Sequence, residues 1–254
     1  MAYETITATI EHGIGRLTLD QPDKLNPLGT NTLQDIIDAT TWFNKENVSV
    51  VIVSGNGRAF TAGFDLREFT NTDSTGKDGA VLGREMAEAV DRMKPVTIAS
   101  LHGYCIGGGV VLASACDLRI ASENTTFSIP EVDLGIPLAW GGIPRLVREI
   151  GPAMTKELVM TCRPFDAEEA KSLGFINRVV KDADLESQTM NMAEAIRERP
   201  QPVIEITKNQ VRAATDDLAS TKNEWVGEIL IAAANKDSVA RSAAQDYLND
   251  KSGL

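Results

Sequence analysis

Short apolar runs alternate with longer stretches of helical periodicity through the first half of the chain. Residues 6–11 and 16–20 alternate apolar with polar side chains and are joined by His12-Gly13-Ile14-Gly15, a pattern that predicts two short strands and a turn. Residues 31–44 carry Leu33, Ile36, Ile37, Trp42 and Phe43 at near-helical spacing. Val50-Val51-Ile52-Val53 and Val96-Thr97-Ile98-Ala99-Ser100 are almost continuously apolar, which predicts strands covered on both faces. Residues 118–121 and 126–128 predict two more. Residues 71–83, NTDSTGKDGAVLG, are polar and glycine-rich and predict a mobile loop; a helix over 84–93 follows, stopped by Lys94-Pro95. Such β-then-α alternation predicts a layered α/β core with crossover connections.

From Ile143 onward the pattern turns helical. Helices are predicted over 146–150, 153–161, 167–173 and 186–198, with Pro164, Gly174 and Pro200 as punctuation, and over the amphipathic stretches 202–212 and 219–249.

Composition narrows this picture. The chain has 254 residues, 43% hydrophobic and 24% charged, enough for a substantial core. No apolar run approaches about 18 residues and no basic-plus-apolar leader opens the sequence, so the expectation is a cytoplasmic protein without a membrane partner. The formal net charge of −11 argues against nucleic acid, which selects a basic footprint. Cys105, Cys116 and Cys162 are an odd number in apolar surroundings, read as buried free thiols. His12 and His102 have neither a nucleophile partner nor metal-ligand spacing, so no metal site is expected, and the GGG turn lacks the Gly-x-Gly-x-x-Gly spacing of a dinucleotide fold, so no separate cofactor is expected.

The candidate chemistry lies in two glycine-containing turns, GRAFTAGFDL at 58–67 and HGYCIGGGVVLASACDL at 102–118. Each follows a predicted buried strand, and the second opens into a helix beginning near Gly108. Two adjacent strands ending in turns make the crevice where open sheets hold ligands. Glycine allows close backbone approach, and two converging N–H groups, one at a helix start, suit a developing oxyanion.

Taken in order, QPDKLNPLGTNTL, AFTAGFDL, the GGG turn, FSIPEVDLGIPLAWGGIPRL and ELVMTCRPFDAEEAKSLGFINRVV resemble the crotonase superfamily, the enoyl-CoA hydratase/isomerase family. The resemblance covers most of the chain. It implies a ββα-spiral α/β core over residues 1–195 that binds acyl-CoA, and a helical region over 196–254 used for a homotrimer or a dimer of trimers. It implies oxyanion donors at the Phe64 and Gly108 N–H groups and a proton-carrying carboxylate at Glu131. Acyl-CoA contacts are implied at Ala62, Asp65 and Leu66 and at the loop Lys24-Leu25, with Lys24, Arg58 and Arg67 as cations for the phosphates. Trp140 is a candidate floor of the acyl pocket.

One position departs from the pattern. Hydratases of this family carry a second glutamate three residues after the middle glycine, where this chain has Val111. The aspartates of related dienoyl-CoA isomerases are also missing, at Val111 and Ala139, and Leu138-Ala139-Trp140 offers no nucleophilic aspartate. A single carboxylate beside an oxyanion hole suits a one-base Δ3-Δ2-enoyl-CoA double-bond shift. The alternatives are a hydratase of low efficiency, or one recruiting another acid such as Glu85 or Glu88, and a homologue that binds acyl-CoA without chemistry.

Overall fold

The computed structural model describes residues 3–65, 68 and 79–251. Its larger sheet has six strands in the order β1 (Ile6–Glu11), β2 (Ile14–Leu19), β3 (Val50–Gly55), β4 (Val96–Leu101), β6 (Leu118–Ser122) and β9 (Arg178–Val180). β1 pairs antiparallel with β2, and every other pairing in this sheet is parallel. A smaller sheet joins β5 (Tyr104–Ile106), β7 (Thr126–Ser128) and β8 (Phe165–Asp166). Helices α1 (Thr30–Phe43), α2 (Gly79–Asp91), α3 (Gly108–Ala115) and α4 (Gly142–Thr161) intervene, and α5 (Ala167–Ser172), α6 (Leu185–Arg197), α7 (Gln201–Leu218), α8 (Val226–Ala234) and α9 (Ser238–Lys251) follow.

The unbroken apolarity of β3 has a direct cause. Alternate strand residues face opposite sides, so Val51 and Val53 join the core shared with α1, α2 and α3, while Val50 and Ile52 join a second core beneath Leu185 and Ala193 of α6. All six residues of β4 and all eight of α3 are buried, so the second glycine turn sits on a fully packed strand–helix unit.

Two expectations need correction. The stretch 79–83 is helix, not loop: Ala80, Leu82, Gly83, Met86, Ala87 and Val90 form the buried face of α2, and tertiary packing overrides the low helix propensity of Gly79 and Gly83. The remainder of the predicted loop, 71–78, lies outside the described residues. The stretch 219–249 is interrupted between α7 and α8 and again at Asp237, whose Oδ1 accepts the Val239 and Ala240 N–H groups at the start of α9. The break predicted between 146–150 and 153–161 is present within α4, where Gly151 adopts φ 76 before Pro152. Strands β8 and β9 were not predicted, since two or three residues are too few to show a period.

Helix α7 has no buried residue, and Val203, Ile206, Val211 and Leu218 are exposed along it. No helix among the described residues is long and apolar enough to cross a membrane.

Candidate active site

The two turns are stitched together by the smaller sheet. Phe60 N–H donates to His102 O at 2.9 Å, Thr61 N–H to Tyr104 O at 3.0 Å, and Ile106 N–H to Thr61 O at 3.2 Å. Gly103 is required at this crossing: it adopts φ 59, and a Cβ there would stand 2.0 Å from Arg58 O. On its other edge the first turn is held by the opening loop, with Ala62 N–H donating to Leu25 O at 2.9 Å and Leu28 N–H to Gly63 O at 2.8 Å. Asn26, 1% exposed at φ 53, donates from Nδ2 to Asn56 O, Ala59 O and Phe60 O, fixing the path between β3 and the turn. The importance of Asn26 was missed in the sequence reading, although it sits in the LNPLG segment that carries the resemblance.

This arrangement places the N–H groups of Phe64 and Gly108 in neighbouring turns. In the parallel bridge of Leu28 with Phe64, pairing through Gly63 O leaves the Phe64 N–H on the edge away from Leu28. Gly108 is the first residue of α3, so its N–H lies outside the intrahelical ladder and carries the positive end of the helix dipole. The turns touch: a Cβ on Gly63 would lie 2.6 Å from Ile106 O and 3.7 Å from Gly108 N.

Glu131 reaches the same spot from the third segment. Gly107 N–H donates to Ser128 O at 2.9 Å, which seats the end of β7 beside the second turn, and Ile136 N–H closes the following turn on Glu131 O at 2.9 Å. The carboxylate rests on Gly107, with Oε1 2.7 Å from the position a Cβ would take there. The residue as a whole is half-buried, but Oε2 is sealed from solvent without a hydrogen-bond partner among the described residues. Burial pushes the Glu131 carboxyl up from 4.5 to about 7, against a smaller lowering by its own backbone N–H.

Val111 is 1% exposed; with Leu138 it packs on Gly142, whose Cβ position lies 2.9 Å from both side chains. Trp140 is buried with its ring against Gly108 and edge-on to Phe64, the ring centroids 5.9 Å apart. Lys24 is exposed in a single 3-10 turn, with Leu25 following at φ 60. Arg58 is exposed, Ala62 is exposed, and Asp65 is half-buried near Gly29. Leu66 and Arg67 lie outside the described residues. Glu88 is engaged by Arg84 of α2 and by Arg92 just beyond its end, at 3.8 and 4.0 Å, and Arg84 also pairs with Glu228 of α8. Sequence reasoning also missed Tyr247 on α9, which lies over the turn after Glu131: Ala240 O, two helical turns earlier on the same face, abuts Gly135, and the fields of Asp133 and Glu131 add to burial in raising the phenol. Nothing in an alanine-rich stretch distinguishes such a tyrosine.

The family described as enoyl-CoA hydratase/isomerase matches residues 9–251. The chain belongs to that family. A crotonyl-CoA hydratase of Syntrophomonas wolfei is 35% identical over 211 residues, covering 82% of this chain and 81% of the relative. A short-chain-enoyl-CoA hydratase of Clostridium acetobutylicum is 28% identical over 246 residues and 94% of both chains. The solved structure of an enoyl-CoA hydratase/isomerase from Xanthobacter autotrophicus Py2 matches with a TM-score of 0.86 at 28% identity, over 95% of this chain and 91% of that one. The two sheets with their ββα turns and C-terminal helices are thus the crotonase fold, as the motifs implied.

For this enoyl-CoA hydratase/isomerase family member, the raised carboxyl makes a stability prediction. Between pH 4.5 and about 7 the folded state keeps a proton that the unfolded state releases, so stability falls as pH rises through that window. The loss amounts to about 3 kcal/mol at 1.36 kcal/mol per pH unit. Glu131→Gln removes the titration, so its stability relative to the parent should grow from pH 5 to pH 8. Urea unfolding at both values checks this; a gap independent of pH would mean that the carboxyl is not held neutral by burial.

Proposed function

We propose that the protein converts an enoyl-CoA thioester through an enolate, with Glu131 carrying the proton. The carrying observation is the placement on Gly107 of a carboxylate whose Oε2 is sealed from solvent and unpartnered among the described residues, one residue from the Gly108 N–H and beside the turn that presents Phe64. The thioester oxygen accepts from both N–H groups, which stabilise the negative charge that develops on it. A carboxyl with its pKa near 7 both accepts and returns a proton at neutral pH.

Hydration takes first place, because relatives at this level of identity are named as enoyl-CoA hydratases. The double-bond shift preferred from the sequence comes second. In hydration the oxygen of water bonds to C3 of a 2-enoyl thioester, Glu131 takes one proton of that water, and the same proton passes to C2. In the shift, Glu131 takes a proton from C2 of a 3-enoyl thioester and returns it to C4. The specific observation behind the second reading is Val111, which packs an apolar side chain where the family resemblance implies a water-positioning glutamate. Rates of both reactions on one acyl panel decide between them. If bound acyl-CoA exchanges no deuterium at C2 and neither reaction proceeds, the chain is a binder.

Val111→Glu supplies a second carboxylate at that position and should raise hydration at least tenfold. An unpaired acid among Leu138 and Gly142 should cost about 3 kcal/mol of stability. Hydration rates with parallel urea unfolding test this, and unchanged hydration in a folded variant rules out a water-positioning role for position 111. In the same reading, residues 196–254 join copies into a homotrimer or a dimer of trimers, supported by the exposed apolar side chains of α7 and measurable by analytical ultracentrifugation.

A further inference from the structure

Trp140 occupies an unusual place for a core tryptophan. A Cβ on Gly83 of α2 would lie 1.8 Å from its Cε2, and a Cβ on Gly108 of α3 would lie 2.4 Å from its Cζ3. The indole therefore fills the space between two helices at points where both present glycine, and one of those points is the residue that offers the oxyanion N–H. Gly79, one helical turn before Gly83, receives the Phe64 ring in the same way, at 2.8 Å from Cε2. The two rings meet edge to face and close this side of the turn.

The ring is also held in place from behind. Trp140 adopts φ 59, a region that bulky side chains rarely occupy and that persists only when the surroundings over-determine it. Arg145, 2% exposed, supplies that constraint. Its Nη1 donates to Trp140 O at 3.1 Å and Gly141 O at 3.2 Å, and its Nη2 pairs with Asp91 of α2 at 3.2 Å. The loop bearing the indole is thus tied to the helix against which the indole packs.

We infer that Trp140 is the residue that sets acyl length, and that it confines this site to short acyl-CoA thioesters. The inference rests on the acyl-CoA reading of the site. A carbonyl seated on the Phe64 and Gly108 N–H groups, with its α-carbon at Glu131, leaves the following carbons to run beside Trp140, Val111 and Leu138. Those walls are largely apolar and buried, so they suit methyl and methylene groups. The indole is in contact with both α2 and α3, so a long chain following these walls enters only if the indole leaves. Arg145 is a positioning residue in this arrangement.

The test is calorimetric titration of the intact protein and of Trp140→Ala and Trp140→Leu with butyryl-CoA, octanoyl-CoA and palmitoyl-CoA, which are saturated and do not react. The expected result is saturable binding of butyryl-CoA by the parent, with octanoyl-CoA and palmitoyl-CoA at least tenfold weaker. Octanoyl-CoA should bind either folded variant on the order of a hundred-fold more tightly than it binds the parent, as four further methylenes become buried. A parent that binds octanoyl-CoA as tightly as butyryl-CoA overturns the length limit by itself, whether or not the variants fold. A length limit that survives in a folded variant overturns the assignment to Trp140. Absence of binding by every thioester, butyryl-CoA included, overturns the acyl-CoA reading and is distinct from both.

Discussion

Glu131→Gln should lower turnover of the preferred enoyl-CoA by about a hundred- to ten-thousand-fold, the usual contribution of a positioned acid–base group. The amide has the same shape but neither accepts nor returns the proton, so deuterium exchange at C2 of a bound saturated thioester should vanish while its affinity is retained. Affinity is expected to hold because the amide keeps the shape of the carboxylate, which rests on Gly107 with Oε2 unpartnered among the described residues. In the parent, kcat/KM should rise with pH through a midpoint near 7 when Glu131 acts as the base, and this limb should be absent from the residual activity of the variant. Undiminished exchange in Glu131→Gln moves the proton transfer to another group, with Tyr247 the first to replace by phenylalanine.

Gly63→Ala is expected to be the most damaging small substitution outside the carboxylate. Gly63 adopts φ 89, and its new Cβ would meet Ile106 O at 2.6 Å, a backbone atom that has no rotamer through which to yield. The turn must shift, and with it the Phe64 N–H relative to the Gly108 N–H. Displacing one donor from an oxyanion site costs about 3–4 kcal/mol of transition-state stabilisation, or roughly a hundred- to thousand-fold in kcat/KM. Affinity for free coenzyme A, which lacks the thioester carbonyl, should change less than threefold. That split separates a displaced oxyanion donor from general misfolding, which would lower both, and a variant with parental kcat/KM would show that Phe64 N–H is not a donor.

Much of the candidate site was readable because its parts are backbone features with sequence marks. The turns at 58–67 and 102–118 announce themselves through glycines after buried strands, since positive φ and close approach exclude most other residues. Glu131 was marked by its neighbours in the IPEVD segment. Its environment was not, because a pKa near 7 depends on how completely the folded chain removes water from one oxygen.

The apolar pattern of the sequence by itself determined the layered α/β core. Strands β3 and β4 are continuously apolar because they are covered on both faces, and that demand is local enough to read. The sequence also determined which peptide groups turn sharply and which carboxylate follows β7. Only the tertiary structure decided that residues 79–83 belong to α2, because glycines that weaken an isolated helix become the surface on which Phe64 and Trp140 pack. It alone decided that Arg145 links the Trp140 loop to Asp91, 54 residues earlier in the chain, and that α9 brings Tyr247 over the turn after Glu131. Such contacts join residues far apart in sequence, and periodicity along one segment carries no record of what another segment will press against it.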